Sequence, residues 1–292
     1  MSHYFFNKGN NNRMKFIFFA AKELGEESLN YFISSNTVPE FVFTMKNSLS
    51  KKVLKHLESN GIEYIELDKF KDSVPDIVSI IKSKRCNMII SSAFPFILPE
   101  SILKEVDFPI NVHTASLPKY KGFHPISAAL LNNDKTQGTT VHFMSTEVDS
   151  GDIILQDFIK ISNEDTIVSI KSRLIRLSNK LLLLAYKQIR ENVFNSRLPI
   201  GKSSFAPKRN PEDSRIDFSN TSRYLHNFIR ALVDPYPNAF ATIKSSGKRV
   251  KIKKSIVSNT EGLVLDKTLS GNYVISTRDG IILLDCDLDL EI

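Results

Sequence analysis

Apolar and polar positions follow two alternating patterns from residue 14 to about residue 190. Short, almost wholly apolar runs are separated by longer segments in which apolar residues recur at helical spacing. This alternation is typical of a sheet of mainly parallel strands covered by helices on both faces. The predicted strands are 15–20, 40–44, 63–67, 87–91, 110–113 and 139–144, and the predicted helices are 23–34, 50–60 and 74–83. The pattern therefore predicts an α/β fold with a parallel or mixed sheet.

The second half of the chain changes character after one long helical segment. Residues 165–190 carry apolar side chains at intervals of three and four, which predicts a helix that closes the first domain. Segment 195–209 contains two prolines, a glycine and three serines, which indicates a boundary. Beyond it, 223–232 has a helical pattern and the remainder resembles short strands. In the final run, 285–292, acidic and apolar residues alternate, so we expect a strand with one wet and one buried face.

The N-terminal residues 1–13 contain the run Asn-Lys-Gly-Asn-Asn-Asn and show no apolar period, so we expect a disordered extension. Met14 directly precedes the first predicted strand and is an alternative start. The predicted organisation is a disordered extension at 1–13, a first domain at 14–207 and a small, mainly β, α+β domain at 208–292.

Composition places the chain among ordinary soluble globular proteins, with 41% hydrophobic and 24% charged residues in a length of 292. The apolar run at 16–21 is too short for a signal peptide or a membrane span. We therefore expect a cytoplasmic protein without a membrane segment. Cys86 and Cys286 lie far apart and lack metal-ligand spacing, so the sequence suggests neither a zinc site nor a disulfide framework.

The net charge of +7 suits an anionic partner, which could be nucleic acid, a nucleotide or a polyglutamylated cofactor. Charge alone does not choose among these three. The densest basic segment is 248–254, with five basic residues in seven. It has two interpretations: a strand edge that lysines keep from pairing, or a surface that contacts RNA phosphates.

The densest group of chemically capable residues lies at the end of predicted strand 110–113. Asn111 and His113 are two positions apart on an extended strand, so their side chains point to the same side. Ligands of open parallel sheets bind beyond the carboxyl ends of the strands. Asp149 follows the next predicted strand, where its carboxylate could reach His113. Taken singly, these residues also fit a core histidine, a turn asparagine and a loop aspartate.

Three sequence elements recur together around these residues. They are Asn111-Val112-His113, Leu117-Pro118 with Gly122 and Pro125, and Val148-Asp149-Ser150-Gly151. In type, order and spacing they resemble the signature of the folate-dependent formyltransferase family. The resemblance implies a Rossmann-like catalytic domain at 14–207, 10-formyltetrahydrofolate as co-substrate and no metal. Ala115-Ser116 and Lys121 depart from the usual family pattern, which affects contacts of the substrate loop and removes no catalytic group.

The resemblance also assigns roles to individual residues. Formyl transfer needs donors for the oxyanion of a tetrahedral intermediate and a group that handles the proton of the amine. Asn111 and His113 would be the donors, and Asp149 would orient His113 and relay the proton. Segment 91–99 resembles the strand and loop that hold the pterin ring. The implied folate-binding residues are Phe96, Ile97, Leu98, Met144 and Val148.

The acceptor amine is suggested by the segment 234–240, Asp-Pro-Tyr-Pro-Asn-Ala-Phe. This segment resembles the sugar branch of the family, which implies a nucleotide-linked amino sugar, with dTDP-4-amino-4,6-dideoxyglucose favoured, for O-antigen or a related surface polysaccharide. The implied substrate residues are Lys208, Arg209 and Tyr236. The resemblance also implies a homodimer, and nucleic acid is the less favoured partner. Two alternatives stay open: a methionyl-tRNA formyltransferase and a non-catalytic basic RNA-binding protein on the same scaffold.

Overall fold

The computed structural model describes residues 14–242, 247–258 and 272–287. The predicted extension 1–13 and the end of the alternating run, 288–292, lie outside this description. The chain forms two compact units. The first comprises the residues up to Lys121 together with Gly138–Phe158 and Leu174–Ser204, and the second comprises Gly122–Gln137, Ile159–Arg173 and the chain from Phe205 onward. The domain boundaries inferred from the sequence stay predictions.

A mixed seven-stranded sheet organises the N-terminal part of the chain. Its strands lie in the order β3-β2-β1-β4-β5-β7-β8. In chain order the strands are β1 Phe16–Ala20, β2 Phe41–Met45, β3 Tyr64–Leu67, β4 Met88–Ser92, β5 Phe108–His113, the short β6 Lys121–Gly122, which is outside this sheet, β7 Thr136–Phe143 and β8 Ile153–Lys160. Strands β1 to β5 pair in parallel, whereas β7 runs antiparallel to β5. The predicted α/β fold with a mixed sheet is confirmed.

The helices are α1 Lys22–Ser34, α2 Lys51–Ser59, α3 Val74–Lys84, α4 Glu100–Leu103, α5 Pro125–Leu131, α6 Ile167–Arg190 and α7 Ser222–Arg230. Local signals explain several of their ends. The Ser50 hydroxyl caps α2 by accepting from the backbone N–H of Val53. Helix α3 ends at Arg85, which is left-handed with φ 53°. Pro125 begins α5, because proline is favoured in the first turn of a helix.

The core of the first unit lies in two layers, one on each face of the sheet. Alternation along β1 sends Phe16 and Phe18 into one layer and Ile17 and Phe19 into the other. All four are at most 1% exposed. The C-terminal half of α6 contributes to the first layer, where Tyr186 packs against Phe16 with ring centroids 5.1 Å apart. Both layers together hold the sheet rigid at the strands that carry the site.

The second unit contains an antiparallel sheet and helix α7. The remaining strands are β9 Phe205–Ala206, β10 Ala239–Thr242, β11 Arg249–Ser258, β12 Asn272–Thr277 and β13 Gly280–Asp287, of which the last four form a sheet in the order β10-β11-β13-β12. Helix α7 buries Leu225, Phe228 and Ile229 in a cluster with Ala239 and Ile252. The small, mainly β C-terminal domain is confirmed.

Arg230 ties helix α7 to a loop of the same unit. Its guanidinium donates to the backbone carbonyls of Ser162 and Asp165 and to the Asn227 side chain. The side chain is buried, so these carbonyls replace the water that the cation gives up. These hydrogen bonds compensate the buried charge of Arg230 and hold the loop that contains Ser162 and Asp165 in place.

Two expectations about the chain as a whole concern membranes and cysteines. Within the described residues, no helix is long and apolar enough to cross a bilayer.

Cys86 is a buried free thiol, and its burial raises its pKa to about 11. Because the thiolate is the reactive form, this cysteine is inert at neutral pH. The side chain of Cys286 lies outside the description.

Candidate active site

The site is built where β5 and β7 run side by side in the first unit. Asn111 faces His142 across the two strands, and His113 faces Thr140. Because side chains alternate along a strand, these four side chains lie on one face of the sheet. The Thr140 hydroxyl donates to the Ala115 carbonyl at 2.7 Å, which holds the loop after β5 against β7. The predicted convergence of Asn111 and His113 therefore has a physical basis in strand register.

His113 is oriented by a backbone carbonyl. Its Nε2 lies 2.9 Å from the carbonyl oxygen of Tyr120. A carbonyl only accepts, so Nε2 carries the hydrogen. Tyr120 itself has φ 58°, and its N–H donates to the Ser204 hydroxyl at 3.0 Å. This partner could not be predicted from the sequence, because a backbone carbonyl has no side-chain signature.

Asp149 lies between two histidines. Its Oδ2 is 3.6 Å from His113 Nε2 and its Oδ1 is 3.5 Å from His142 Nε2. The carboxylate is 11% exposed, so solvent screens its negative charge only weakly. The structure therefore brings Asp149 to His113, as the sequence predicted, although the 3.6 Å separation is longer than an ordinary hydrogen bond.

The loop that carries Asp149 requires its neighbouring glycine. Asp149 has φ 48°, a left-handed conformation that aspartate and asparagine tolerate better than most residues. A Cβ atom on Gly151 would stand 1.9 Å from the carbonyl oxygen of Phe143. The close approach of backbone to backbone is thus possible only for glycine. This is the physical content of the Asp-Ser-Gly element.

Lys121 connects the loop after β5 with the Asp149 loop. Its Nζ donates to the Ser150 hydroxyl at 2.7 Å, and that hydroxyl donates to the Val148 carbonyl at 2.9 Å. Lys121 is one of the departures from the usual family pattern noted in the sequence. The half-buried Lys121 reaches Ser150, which is 29 positions further along the chain. It therefore holds the position of the residue adjoining Asp149.

His142 is a site residue that the sequence analysis missed. The side chain is buried, with Nε2 3.2 Å from Asn111 Nδ2 and Nδ1 2.8 Å from the Phe143 carbonyl oxygen. A signal was present, since Thr140 and His142 are polar and alternate with the apolar Val141 and Phe143. That period predicts a polar face on a strand that otherwise belongs to the core.

The predicted folate-binding residues occupy different environments. Phe96 stacks on Phe70 with centroids 5.0 Å apart and an interplanar angle of 16°, and it stays 43% exposed. Ile97 is exposed, whereas Leu98 is buried in the second core layer, against which Met144 also packs. Val148 is half-buried beside Asp149. Their roles toward folate stay predictions.

A pocket of about 530 Å³ lies within the second unit. It is lined by Tyr236, Asn238 and Phe240 from the 234–240 segment and by Arg249 and Lys251 from β11. The Arg249 guanidinium lies 4.5 Å from the centre of the Phe240 ring. The Oδ1 atom of the buried Asn238 has no hydrogen-bond partner in the described part of the chain.

Only Tyr236 of the three predicted substrate residues lines this pocket. The Arg209 guanidinium lies over the Phe228 ring, 5.5 Å from its centre, and donates to the Asp213 carbonyl. Lys208 is exposed. Arg249 and Lys251 of the basic segment 248–254 line the pocket with Tyr236, and Lys171 Nζ lies 5.8 Å from the centre of the Tyr236 ring.

The first-unit cluster has the parts that acyl transfer needs. Asn111 and His113 carry N–H donors that can stabilise an oxyanion, and Asp149 is a carboxylate that can hold a proton. Within residues 14–242, 247–258 and 272–287, no group of three potential metal ligands is present. Asn111, His113 and Asp149 offer acid–base and hydrogen-bonding chemistry.

Comparison with known families gives two matches that together span most of the chain. The formyl transferase model matches residues 14–186, and the model of the formyl transferase C-terminal domain matches residues 208–291. The methionyl-tRNA formyltransferase of Fusobacterium nucleatum is 31% identical over 235 residues, 77% of this chain and 74% of the relative. That of Thermodesulfovibrio yellowstonii is 28% identical over 278 residues, 91% of this chain and 88% of the relative.

Solved structures share the fold over almost the whole chain. The sugar 3N-formyl transferase WlaRD, crystallised with dTDP and 5-N-formyltetrahydrofolate, has a TM-score of 0.71 and 23% identity, covering 96% of this chain and 100% of that one. The N-formyltransferase of Helicobacter canadensis, in complex with folinic acid and dTDP-3-aminofucose, has a TM-score of 0.72 and 23% identity, covering 94% and 99%. On the strength of the two family matches, this chain belongs to the formyl transferase family of enzymes.

Proposed function

We propose that the enzyme transfers a formyl group from 10-formyltetrahydrofolate to the amine of a nucleotide-linked amino-dideoxy sugar. The favoured acceptor is dTDP-4-amino-4,6-dideoxyglucose, and the product would serve O-antigen or a related surface polysaccharide. The observation that carries the reaction type is the cluster of Asn111, His113 and Asp149 at the exit of β5. The choice of acceptor is inferred from the pocket in the second unit.

In the proposed mechanism, the neutral amine attacks the formyl carbon and the carbonyl oxygen becomes an oxyanion. The Asn111 amide donates a hydrogen bond to it, and His113 donates through its Nε2–H, which exchanges the Tyr120 carbonyl for the oxyanion. Asp149 accepts the proton that the amine releases, directly or through a water molecule, and the proton then passes to the departing folate nitrogen. The amine loses one proton and the folate nitrogen gains one, so the transfer balances without a metal or a redox step.

The folate donor is supported by the loop after β4 and by the structural neighbours. Both sugar enzymes named above were crystallised with a formylated tetrahydrofolate, and the fold is shared. In this chain the loop presents the partly exposed Phe96 and the exposed Ile97 at the carboxyl end of a central strand. Ligands of open sheets bind at such strand ends. We assign the pterin ring to this loop.

The nucleotide of the acceptor is supported by the pocket in the second unit. Tyr236 offers a ring for a base, and Arg249 and Lys251 offer cations for a diphosphate. The pocket volume of about 530 Å³ is in the range of small-molecule sites. These features favour a nucleotide ligand.

A second candidate acceptor is methionyl-tRNA. Two observations favour it: the curated relatives at 31% and 28% identity are methionyl-tRNA formyltransferases, and the net charge is +7. The two acceptors differ in the number of phosphates that the protein would contact, which is many for a tRNA and two for a nucleotide sugar. Affinity for tRNA should therefore fall steeply with salt, whereas affinity for the sugar should fall only slightly.

The deciding experiment offers the enzyme 10-formyltetrahydrofolate with dTDP-, UDP- and GDP-linked 3-amino and 4-amino sugars, and separately with methionyl-tRNA. Mass spectrometry detects the formyl increment on each acceptor, and the Asp149→Asn variant serves as the matched control. We expect product with a dTDP-amino sugar and only a slight dependence of KM on salt. Formylation of the tRNA alone would contradict the sugar assignment, and no formylation of any acceptor would contradict the transfer reaction.

A further inference from the structure

His142 contacts the proposed donor Asn111 and lies on β7, directly opposite Asn111 of β5. We propose that His142 is a positioning residue that fixes the orientation of the Asn111 amide, so that an N–H of Asn111 is presented to the formyl oxygen. This inference rests on the formyl transfer proposed above. It adds a residue to the catalytic cluster that acts through Asn111 and does not touch the reacting atoms.

The tautomer of His142 follows from its backbone contact. Nδ1 lies 2.8 Å from the carbonyl oxygen of Phe143, which can only accept a hydrogen bond. Nδ1 therefore carries the hydrogen, and in the neutral ring Nε2 is the acceptor. The ring is 2% exposed, so water offers little alternative to this contact. The Phe143 carbonyl thus determines that His142 presents a hydrogen-bond acceptor, Nε2, to Asn111.

The orientation of the Asn111 amide follows from that tautomer. Asn111 Nδ2 lies 3.2 Å from His142 Nε2, a distance at which it donates one of its two hydrogens. The second hydrogen of the same nitrogen remains for the oxyanion. If the amide were rotated by 180°, its oxygen would face the acceptor Nε2, and two acceptors would repel each other. His142 therefore selects the donor orientation.

The carboxylate near His142 bears on the protonation state in which His142 can orient the Asn111 amide. Asp149 Oδ1 lies 3.5 Å from His142 Nε2, and Asp149 Oδ2 lies 3.6 Å from His113 Nε2. A proton on His142 Nε2 would be attracted to the carboxylate and could no longer accept from Asn111. The orienting state is therefore the neutral ring with hydrogen on Nδ1. Asn111 and His142 are directly paired across β5 and β7, so the strand register itself brings them together.

The tautomer is testable without any acceptor substrate. In protein labelled with ¹⁵N-histidine, long-range proton–nitrogen spectra at pH 8 distinguish the two neutral tautomers, and His142→Gln identifies the His142 signals by their loss. We expect the Nδ1–H form, with a shift of the Nε2 signal in Asn111→Ala. The Nε2–H form would overturn the proposal. This outcome is independent of which acceptor the enzyme uses, so it is distinguishable from a failure of the proposed function.

The positioning role is testable by a double-mutant cycle. We expect His142→Leu to lower kcat about 30-fold with KM for folate and acceptor within about twofold, because one oxyanion donor loses its orientation. His142→Gln retains an acceptor oxygen and should recover most of kcat. In the Asn111→Ala background, His142→Leu should lower kcat less than about threefold, since the residue it positions is gone.

A matched control is available in the same unit. His56 Nδ1 lies 3.0 Å from Asn30 Oδ1, a second histidine–asparagine pair on helices α2 and α1. His56→Leu should leave kcat unchanged, whereas a nonspecific loss of packing would lower kcat in both variants. Circular dichroism and thermal unfolding check that each variant folds. Equal losses from His142→Leu in the wild-type and Asn111→Ala backgrounds would overturn the positioning role.

Discussion

The cluster at β5 and β7 and the pocket of the second unit are built in opposite ways. In the cluster, polar side chains are buried and contact one another, so that His142, Asn111, Asp149 and His113 form a connected set. In the pocket, the basic side chains are exposed and the buried Asn238 oxygen lacks a partner in the described chain. Polar groups that contact one another within the protein are held in position for a reaction. Polar groups without such partners are available to bind a ligand. This difference is consistent with the proposal that the first unit carries the chemistry and the second selects the acceptor.

The strongest test of this contrast is Asp149→Asn. Asparagine fits the left-handed backbone at this position and keeps the size of the side chain, but it cannot hold the proton of the amine. We expect kcat to fall about 10³-fold with little change in unfolding temperature. Single-turnover formyl transfer measures the loss. His113→Ala should lose a comparable factor, and turnover near that of the wild type in either variant would remove these residues from the mechanism.

The geometry of the Asp149 loop is tested by Gly151→Ala. The added methyl group would stand 1.9 Å from the Phe143 carbonyl oxygen, so the loop must move. We expect a loss of about 3 kcal/mol in unfolding free energy, together with a fall in kcat as Asp149 leaves the histidines. Chemical denaturation and steady-state kinetics measure the two effects.

Gly61→Ala is the matched control for that substitution. Gly61 also has a positive φ, 65°, but an added Cβ would meet nothing within 4 Å. It should cost only about 1 kcal/mol, from backbone conformation alone, and leave kcat unchanged. If the two alanine variants lose the same stability, the close approach at Gly151 is not what constrains the loop.

Sequence alone predicted the part of the cluster that depends on spacing along one strand. Asn111 and His113 are two residues apart, which suffices to put them on one side. It did not predict His142, because its approach to Asn111 depends on the antiparallel register of β7 against β5. Nor did it predict the Tyr120 carbonyl beside His113, since every residue has a carbonyl and only the turn aims this one.

The second unit was predicted less completely for a related reason. The basic segment 248–254 was visible in the sequence, but which of its residues share a face depends on strand pairing. Arg249 and Lys251 alternate with Val250 and line the pocket, while the pairing with β13 shifts register between Ile252 and Lys254. Such an irregularity changes the alternation beyond it, and no residue type announces it.

The role of the pocket is tested by Arg249→Met combined with Lys251→Met. Methionine keeps much of the side-chain length and removes the charges that would hold a diphosphate. We expect KM for the nucleotide sugar to rise about 30-fold with kcat within about threefold. The control is Lys254→Met on the same strand, an exposed lysine that is not part of the pocket lining. If the control raises KM equally, the effect is one of general charge and the pocket loses its assignment.

The smallest expected effect concerns the response of the second unit to acid. In the second unit, burial lowers the pKa of His226, helped by the positive charges of Arg230 and Arg223 and opposed by hydrogen bonds with Asn163 and Ser255. Because the folded state binds the proton less tightly than the unfolded chain, the stability that neutral His226 contributes is present above the ordinary histidine pKa and is lost as pH falls below it. We expect the wild type to lose about 1–3 °C more in Tm than His226→Gln between pH 7.5 and pH 5.5, measured by calorimetry. Parallel losses in the two proteins would mean that acid acts on the fold elsewhere than at His226.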